Sequence, residues 1–263
     1  MKPLIGYQIS SIRAYLDTEE HFHDSMVKLA AMGYKRIQLQ WASPDLSNDF
    51  IAKELKDNGI ECIGTQDPYL EGFGPNLEKT MDRTLKTGSR YMVFSLIPRE
   101  LDNAEAMKDF AEKIKELNKI ARSNGLILGF HPNDYNYTTR IDGVPSYEYL
   151  LNLLPDDVQL NYCIHASFRS GVEYDEVLRK FAGRVDLVHF KDSKILPDGT
   201  RHLMPLGEGE HDWVPIAQSC QQAGVKYIFT EQERWLKDAF ESAKIALDYT
   251  VDCLDKIEEK PLW

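Results

Sequence analysis

Short apolar runs alternate with helix-period segments eight times along the chain, and this alternation restricts the fold more than any other feature of the sequence. The runs fall at 4–9, 36–40, 60–65, 91–96, 126–131, 158–163, 185–190 and 225–230. Between them the pattern predicts helices over 19–32, 45–58, 76–87, 102–123, 146–153, 173–182, 213–223 and 236–257. The clearest helix carries Leu101, Ala104, Met107, Phe110, Ala111, Ile114, Leu117 and Ile120 on one stripe, with Asp102 as its expected cap. Gly33, Gly59, Gly125 and Gly224 punctuate the passage from a helix to the next strand. Eight βα units in register predict a closed parallel (β/α)8 barrel of the TIM type, folded as one domain over 1–263.

Composition narrows the function. The 263 residues are 43% apolar and show no linker-like shift, so a single large core is within reach. A net charge of −11 repels phosphate backbones and anionic headgroups, which argues against nucleic acid or a membrane surface as partner. Cys62, Cys163, Cys220 and Cys253 are scattered without a CxxC pair, so neither a disulfide framework nor a finger is expected. The first residues lack the apolar stretch of a signal peptide, and no run is long enough to span a bilayer. A soluble, cytoplasmic protein is expected.

In such barrels the chemistry sits on the loops after the strands. The residues there are Gln8, then Gln40 with Trp41, Gln66 with Asp67, and Ser95. The second half adds His131 with Asn133 and Asn136, Cys163 with His165, His189 with Lys191 and Asp192, and Glu231. Period-two alternation puts Leu187, His189 and Lys191 on one face of their strand, and Tyr227, Phe229 and Glu231 on one face of the last. A carboxylate beside a histidine and a lysine is suited to moving a proton next to a carbonyl. Glu231 is the expected base, pushed up in pKa by its apolar floor and pulled down by Lys191. Gln8, Trp41, Gln66, His131, Asn133 and Trp235 are expected to bind substrate, the amides through hydroxyls and the aromatics by stacking. Two long connections, 131–145 and 192–211, are expected to form walls or lids.

These segments bear a family likeness. The chain resembles the xylose-isomerase-like barrels, a family of sugar isomerases and epimerases that also includes inosose dehydratases and a DNA-repair endonuclease branch. Gly6-Tyr7-Gln8-Ile9-Ser10-Ser11-Ile12-Arg13 is similar to the first-strand pattern, and Gly129-Phe130-His131-Pro132-Asn133-Asp134-Tyr135-Asn136-Tyr137 to a fifth-strand GYHNHDFEF segment. Gly183-Arg184 with Val188-His189-Phe190-Lys191-Asp192 resembles a GR…VHxKD block. Gly207-Glu208-Gly209 with Asp212-Trp213 resembles GEG..DW, and Thr230-Glu231-Gln232-Glu233 resembles VEQD.

The resemblance implies a divalent ion (Mn²⁺, Mg²⁺, Co²⁺ or Zn²⁺) held by a glutamate, an aspartate, a histidine and a second glutamate. His189 and Glu231 match the last two positions, while Asn136 and Cys163 stand at the first two, with His165 close by. One carboxylate in place of three predicts weak or absent binding of hard ions, and Cys163 or His165 suits Zn²⁺ instead. Gln38 and Gln66 likewise stand where the family often has a glutamate and a histidine. The reading that follows is an isomerase or epimerase of a small carbohydrate (a sugar, sugar phosphate or inosose), with Glu231 as base and His189 and Lys191 on the carbonyl oxygen. The alternative is a non-catalytic carbohydrate-binding or regulatory barrel, and a homo-oligomer is expected from the family alone.

Overall fold

Eight parallel strands close on themselves: β1 (Leu4–Gln8), β2 (Arg36–Leu39), β3 (Glu61–Pro68), β4 (Tyr91–Ser95), β5 (Ile127–His131), β6 (Gln159–Cys163), β7 (Leu187–Phe190) and β8 (Tyr227–Thr230). Each pairs with its neighbours in sequence and β8 pairs with β1, so no edge is left open. The computed structural model describes residues 1–74 and 76–263. Among the described residues no helix is long and apolar enough to cross a membrane.

Strand alternation sorts the side chains. Met92, Phe94, Leu128, Phe130, Leu160, Tyr162, Val188 and Ile228 belong to the core formed with the surrounding helices. Ile63, Tyr91, Val93, Leu187 and Phe229 cluster separately and fill the barrel floor. Room for the Phe229 ring comes from Gly6, where a Cβ would lie 2.6 Å from Phe229 Cε1. Above that floor Gln8, Gln38, Gln66, His131, Asn161, His189 and Glu231 replace the apolar side chains, and this change of character positions the site.

The eight expected helices form, three with the expected ends (Glu19–Met32, Ser146–Leu153 and Trp213–Ala223) and five with ends shifted inward. The helix Ala104–Ser123 is capped by Asn103, whose side chain accepts from Ala106 N at 3.0 Å, and not by Asp102. Its buried stripe passes from Leu117 to Asn118 and Ala121, which leaves Ile120 facing solvent. Short helices also form where the sequence suggests loops, at Asp134–Thr138 and Ile164–Ser170. Both long connections contain a hairpin: Arg140–Ile141 with Val144–Pro145, and Asp192–Ile195 with Arg201–Met204.

Candidate active site

A ring of amides lies directly on the apolar floor. Gln8 Nε2 donates to Gln38 Oε1 at 3.1 Å and lies 3.4 Å from Gln66 Oε1. Gln38 Nε2 donates in turn to Asn161 Oδ1 at 3.0 Å. The ring closes on His189, whose Nε2 lies 2.6 Å from Gln38 Oε1 and 3.0 Å from Asn161 Nδ2. All five residues are buried, so these contacts fix the His189 ring in one orientation.

The other face of that ring carries the charge. His189 Nδ1 lies 3.2 Å from Glu231 Oε2 and 3.2 Å from His131 Nε2. Lys191 Nζ lies 3.1 Å from the same carboxylate oxygen and 2.7 Å from Glu233 Oε1. Ser10 Oγ donates to Glu231 Oε1 at 3.2 Å. Burial opposes ionisation of Glu231, but the Lys191 ammonium and His189 outweigh it and hold the carboxyl well below the ordinary glutamate range. Burial also disfavours the Lys191 cation, and the Glu231 and Glu233 carboxylates reverse that and raise it. Glu233, partly desolvated and next to Glu231, is pushed up despite Lys191. Of the two opposing pulls expected on Glu231, the lysine wins.

The neutral donors stand beside this pair. Burial, reinforced by the neighbouring His189, pushes His131 down to about 3, so its ring is uncharged at neutral pH; its buried Nδ1 has no partner among the described residues. His165 is likewise pushed down to about 3 by burial, with Nε2 unpartnered. Burial drives the Cys163 thiol up to about 12, so it is protonated in the free protein.

These groups line the inner end of an open cavity of about 930 Å³ at the strand C-termini. Gln66, His131, Asn133, Cys163, His165, Lys191, Glu231 and Trp41 all border it. Trp41 and Leu96 hold left-handed backbones (φ 61° and 48°), unusual for such side chains, and both remain exposed at the mouth. Asn133 supports one of them, its Oδ1 accepting from Leu96 N at 2.9 Å. Gln8 and His189, both fully buried, lie beneath the cavity and do not border it, so neither stands where a substrate oxygen was expected to meet it.

Two further expected residues are not brought to the cavity, Asn136 and Trp235. The Asn136 amide turns into its own short helix, where Oδ1 accepts from Asn133 N at 2.9 Å and Nδ2 lies 3.5 Å from Ser146 Oγ. It is therefore a capping residue and stands outside the ligand cluster. Trp235 packs on the far side of the last loop, its ring 6.3 Å from that of Tyr15. Asn161 and Glu233 were missed by the sequence reading. Asn161 shares strand parity with Cys163, and that parity was the available signal; Glu233 lies three residues beyond β8, where strand parity no longer applies.

The block 188–192 and the GEG segment have a structural explanation. Asp192 is fully buried and accepts from Trp213 Nε1 at 2.9 Å and from Ser193 N at 2.9 Å. A methyl group on Gly209 would overlap the Asp192 carboxylate. The carboxylate thus ties the hairpin, the glycine turn and the helix Trp213–Ala223 into one wall of the cavity.

The donor set discriminates between metals. Mg²⁺ and Mn²⁺ prefer several carboxylates, and the one at the cluster, Glu231, is already neutralised by Lys191. Hard ions do not fit. His131, Cys163 and His189 offer two imidazoles and a sulfur whose ligand atoms all lie within 4.8 Å of one another. That trio suits a zinc-type ion once the thiol has lost its proton.

Residues 26–249 match the model of the xylose isomerase-like TIM barrel family, and the chain belongs to that family. Among solved structures it is similar to a sugar phosphate isomerase/epimerase from Parabacteroides distasonis, with a TM-score of 0.78 at 17% identity over 94% of this chain and 93% of that one. An L-ribulose 3-epimerase superposes with a TM-score of 0.72 at 14% identity, covering 96% of this chain and 95% of the other. The IolI protein with a bound zinc atom gives 0.71 at 18% identity, covering 99% and 100%. At these identities the likeness establishes the fold. No curated protein sequence matches the chain.

Proposed function

We propose that the protein is a sugar isomerase or epimerase that moves a proton on the carbon beside a carbonyl, with Glu231 as the base. The observation that carries this reading is the contact of Lys191 Nζ with Glu231 Oε2 at 3.1 Å, beside His189 and at the inner end of a cavity large enough for a sugar. In the free protein the ammonium keeps the carboxylate a weak base. A substrate carbonyl oxygen that takes up the Lys191 ammonium removes the main group holding the Glu231 pKa down. Desolvation then dominates, the carboxylate becomes more basic, and it accepts the proton from the adjacent carbon.

The negative charge that develops on the oxygen is met by Lys191, positioned before substrate arrives, while the buried His189 holds the Glu231 carboxylate through Nδ1. A zinc-type ion, when held by His131, Cys163 and His189, supplies a Lewis acid for the same oxygen. Return of the proton by Glu231 to the former carbonyl carbon, with the hydroxyl proton of the first carbon passing to the former carbonyl oxygen, gives isomerisation. Delivery of a proton from solvent or another group to the opposite face of the first carbon gives epimerisation. The family membership and the sugar isomerase and epimerase neighbours support the substrate class. Four free cysteines, all buried, support a reducing compartment and hence the cytoplasm.

The strong Glu231–Lys191 pair also favours a second reading, a binding barrel in which the carboxylate is only a structural anion. Turnover by chelator-treated and by Zn²⁺-supplemented protein on a panel of ketoses, aldoses and inososes separates the two. Conversion of at least one sugar supports the enzyme, and saturable binding without conversion across the panel supports the binding barrel.

A further inference from the structure

The cavity wall has the opposite charge character to the rest of the molecule. In a chain of net charge −11 the residues bordering this opening include five arginines and Lys191 against Asp134, Glu231 and Glu233. Two of the arginines are committed within the protein, Arg169 to Asp134 at 3.2 Å and Arg201 to Glu210 at 3.1 Å. Arg13, Arg99 and Arg234 form no ion pair among the described residues, although acidic side chains outnumber basic ones by 42 to 31. Guanidinium groups without a carboxylate partner around one opening are donors available to an entering anion.

The three are held by different devices on opposite sides of the cavity. Arg13 and Arg234 sit on the loops after β1 and β8, which are joined by Gln232 N donating to Ser11 Oγ at 2.9 Å. The Ser10–Glu231 hydrogen bond joins the same two loops one step deeper. Across the cavity Arg99 lies over the Tyr135 ring at 4.6 Å, and the Tyr135 hydroxyl is hydrogen-bonded to Ile97 O. Arg13, Arg99 and Arg234 are exposed, whereas Lys191 is half-buried against Glu231, so the arginines stand nearer solvent.

We infer that the substrate carries a carboxylate or phosphate group distal to its carbonyl, and that Arg13, Arg99 and Arg234 bind this anion. The inference rests on the site being carbohydrate-active and adds the charge of the molecule it takes. Bidentate guanidinium contacts serve either oxyanion, and the positive mouth of a negative protein draws anions selectively to that one opening.

Calorimetric titration with glucose, glucuronate, glucose 6-phosphate and inorganic phosphate at low salt tests it. At least one of the two anionic sugars is expected to bind tenfold or more tightly than glucose, and inorganic phosphate to compete with it. The better of the two identifies carboxylate or phosphate as the recognised group. The Arg13→Gln/Arg234→Gln protein is expected to lose at least tenfold in affinity for that sugar. Arg90→Gln, outside the cavity, is expected to retain it. Equal affinity for glucose and both anionic sugars overturns the inference, as does the absence of binding by either anion or unchanged affinity in the double variant. Titration reads binding without turnover, so this failure is separate from a failure of the catalytic reading.

Discussion

Taking the ammonium from Lys191 leaves Glu231 as a buried carboxylate facing only His189 and Ser10. Burying an unpaired charge costs far more than the pair itself contributes, so Lys191→Met is expected to destabilise the fold by about 3 kcal/mol at pH 7. Urea unfolding at pH 7 and pH 5 checks this, with part of the loss recovered at pH 5 as Glu231 takes up a proton. The buried imidazoles act in the same pH range. The folded pKa values of His131 and His165 are depressed to about 3, so the unfolded chain takes up protons first as pH falls below about 6.5. Their contribution is present above pH 6.5 and is lost progressively down to about 3, at no more than about 1.4 kcal/mol per pH unit for each ring. His131→Gln with His165→Gln should flatten the acid limb of the stability profile between pH 6.5 and 4. An unchanged slope in that variant would show that carboxylates, and not these rings, set the acid limb.

Individual strands and loops differ in how much of their position the sequence states. Each βα unit is local, with apolar period-two strands followed by period-3.6 helices, and so the barrel could be read directly from the chain. Side-chain direction was legible for as long as a strand lasted. That is why His189 and Glu231, at or next to the ends of β7 and β8, meet as their parity implies. Past a strand end that logic stops. Asn136 lies five residues beyond β5 in a segment that coils into a helix, and its amide is turned into a cap. The wall built around Asp192 depends on contacts between residues far apart in sequence, which periodicity cannot show. Gly209→Ala forces a methyl into the Asp192 carboxylate, and about 1–3 kcal/mol of destabilisation is expected from such overpacking. Limited proteolysis should then cut first within 192–211, whereas cleavage spread evenly over the chain would mean that Asp192 does not organise this wall.

At the scale of the whole barrel, the site is assembled from seven of the eight strands or the residues just after them, with Gln8, Gln38, Gln66, His131, Cys163, His189 and Glu231 meeting around one axis. Closure makes this convergence inevitable once inward positions are polar, whereas the sequence alone left open which polar residues contact one another. Lys191 was legible as a site residue, but its capture of both Glu231 and Glu233 was not, because Glu233 lies beyond the last strand. The consequence is a barrel whose fixed cation at the carboxylate is a side chain. The central claim, that Glu231 moves a proton beside a substrate carbonyl, is tested most directly by deuterium exchange. The wild-type and Glu231→Gln proteins would be incubated with the converted sugar in D₂O with chelator present, and label at the carbon beside the carbonyl followed by NMR. The wild-type protein should incorporate deuterium, and the Gln variant should do so at least about a hundredfold more slowly with similar sugar affinity. Exchange at the wild-type rate in the Gln variant would contradict the account.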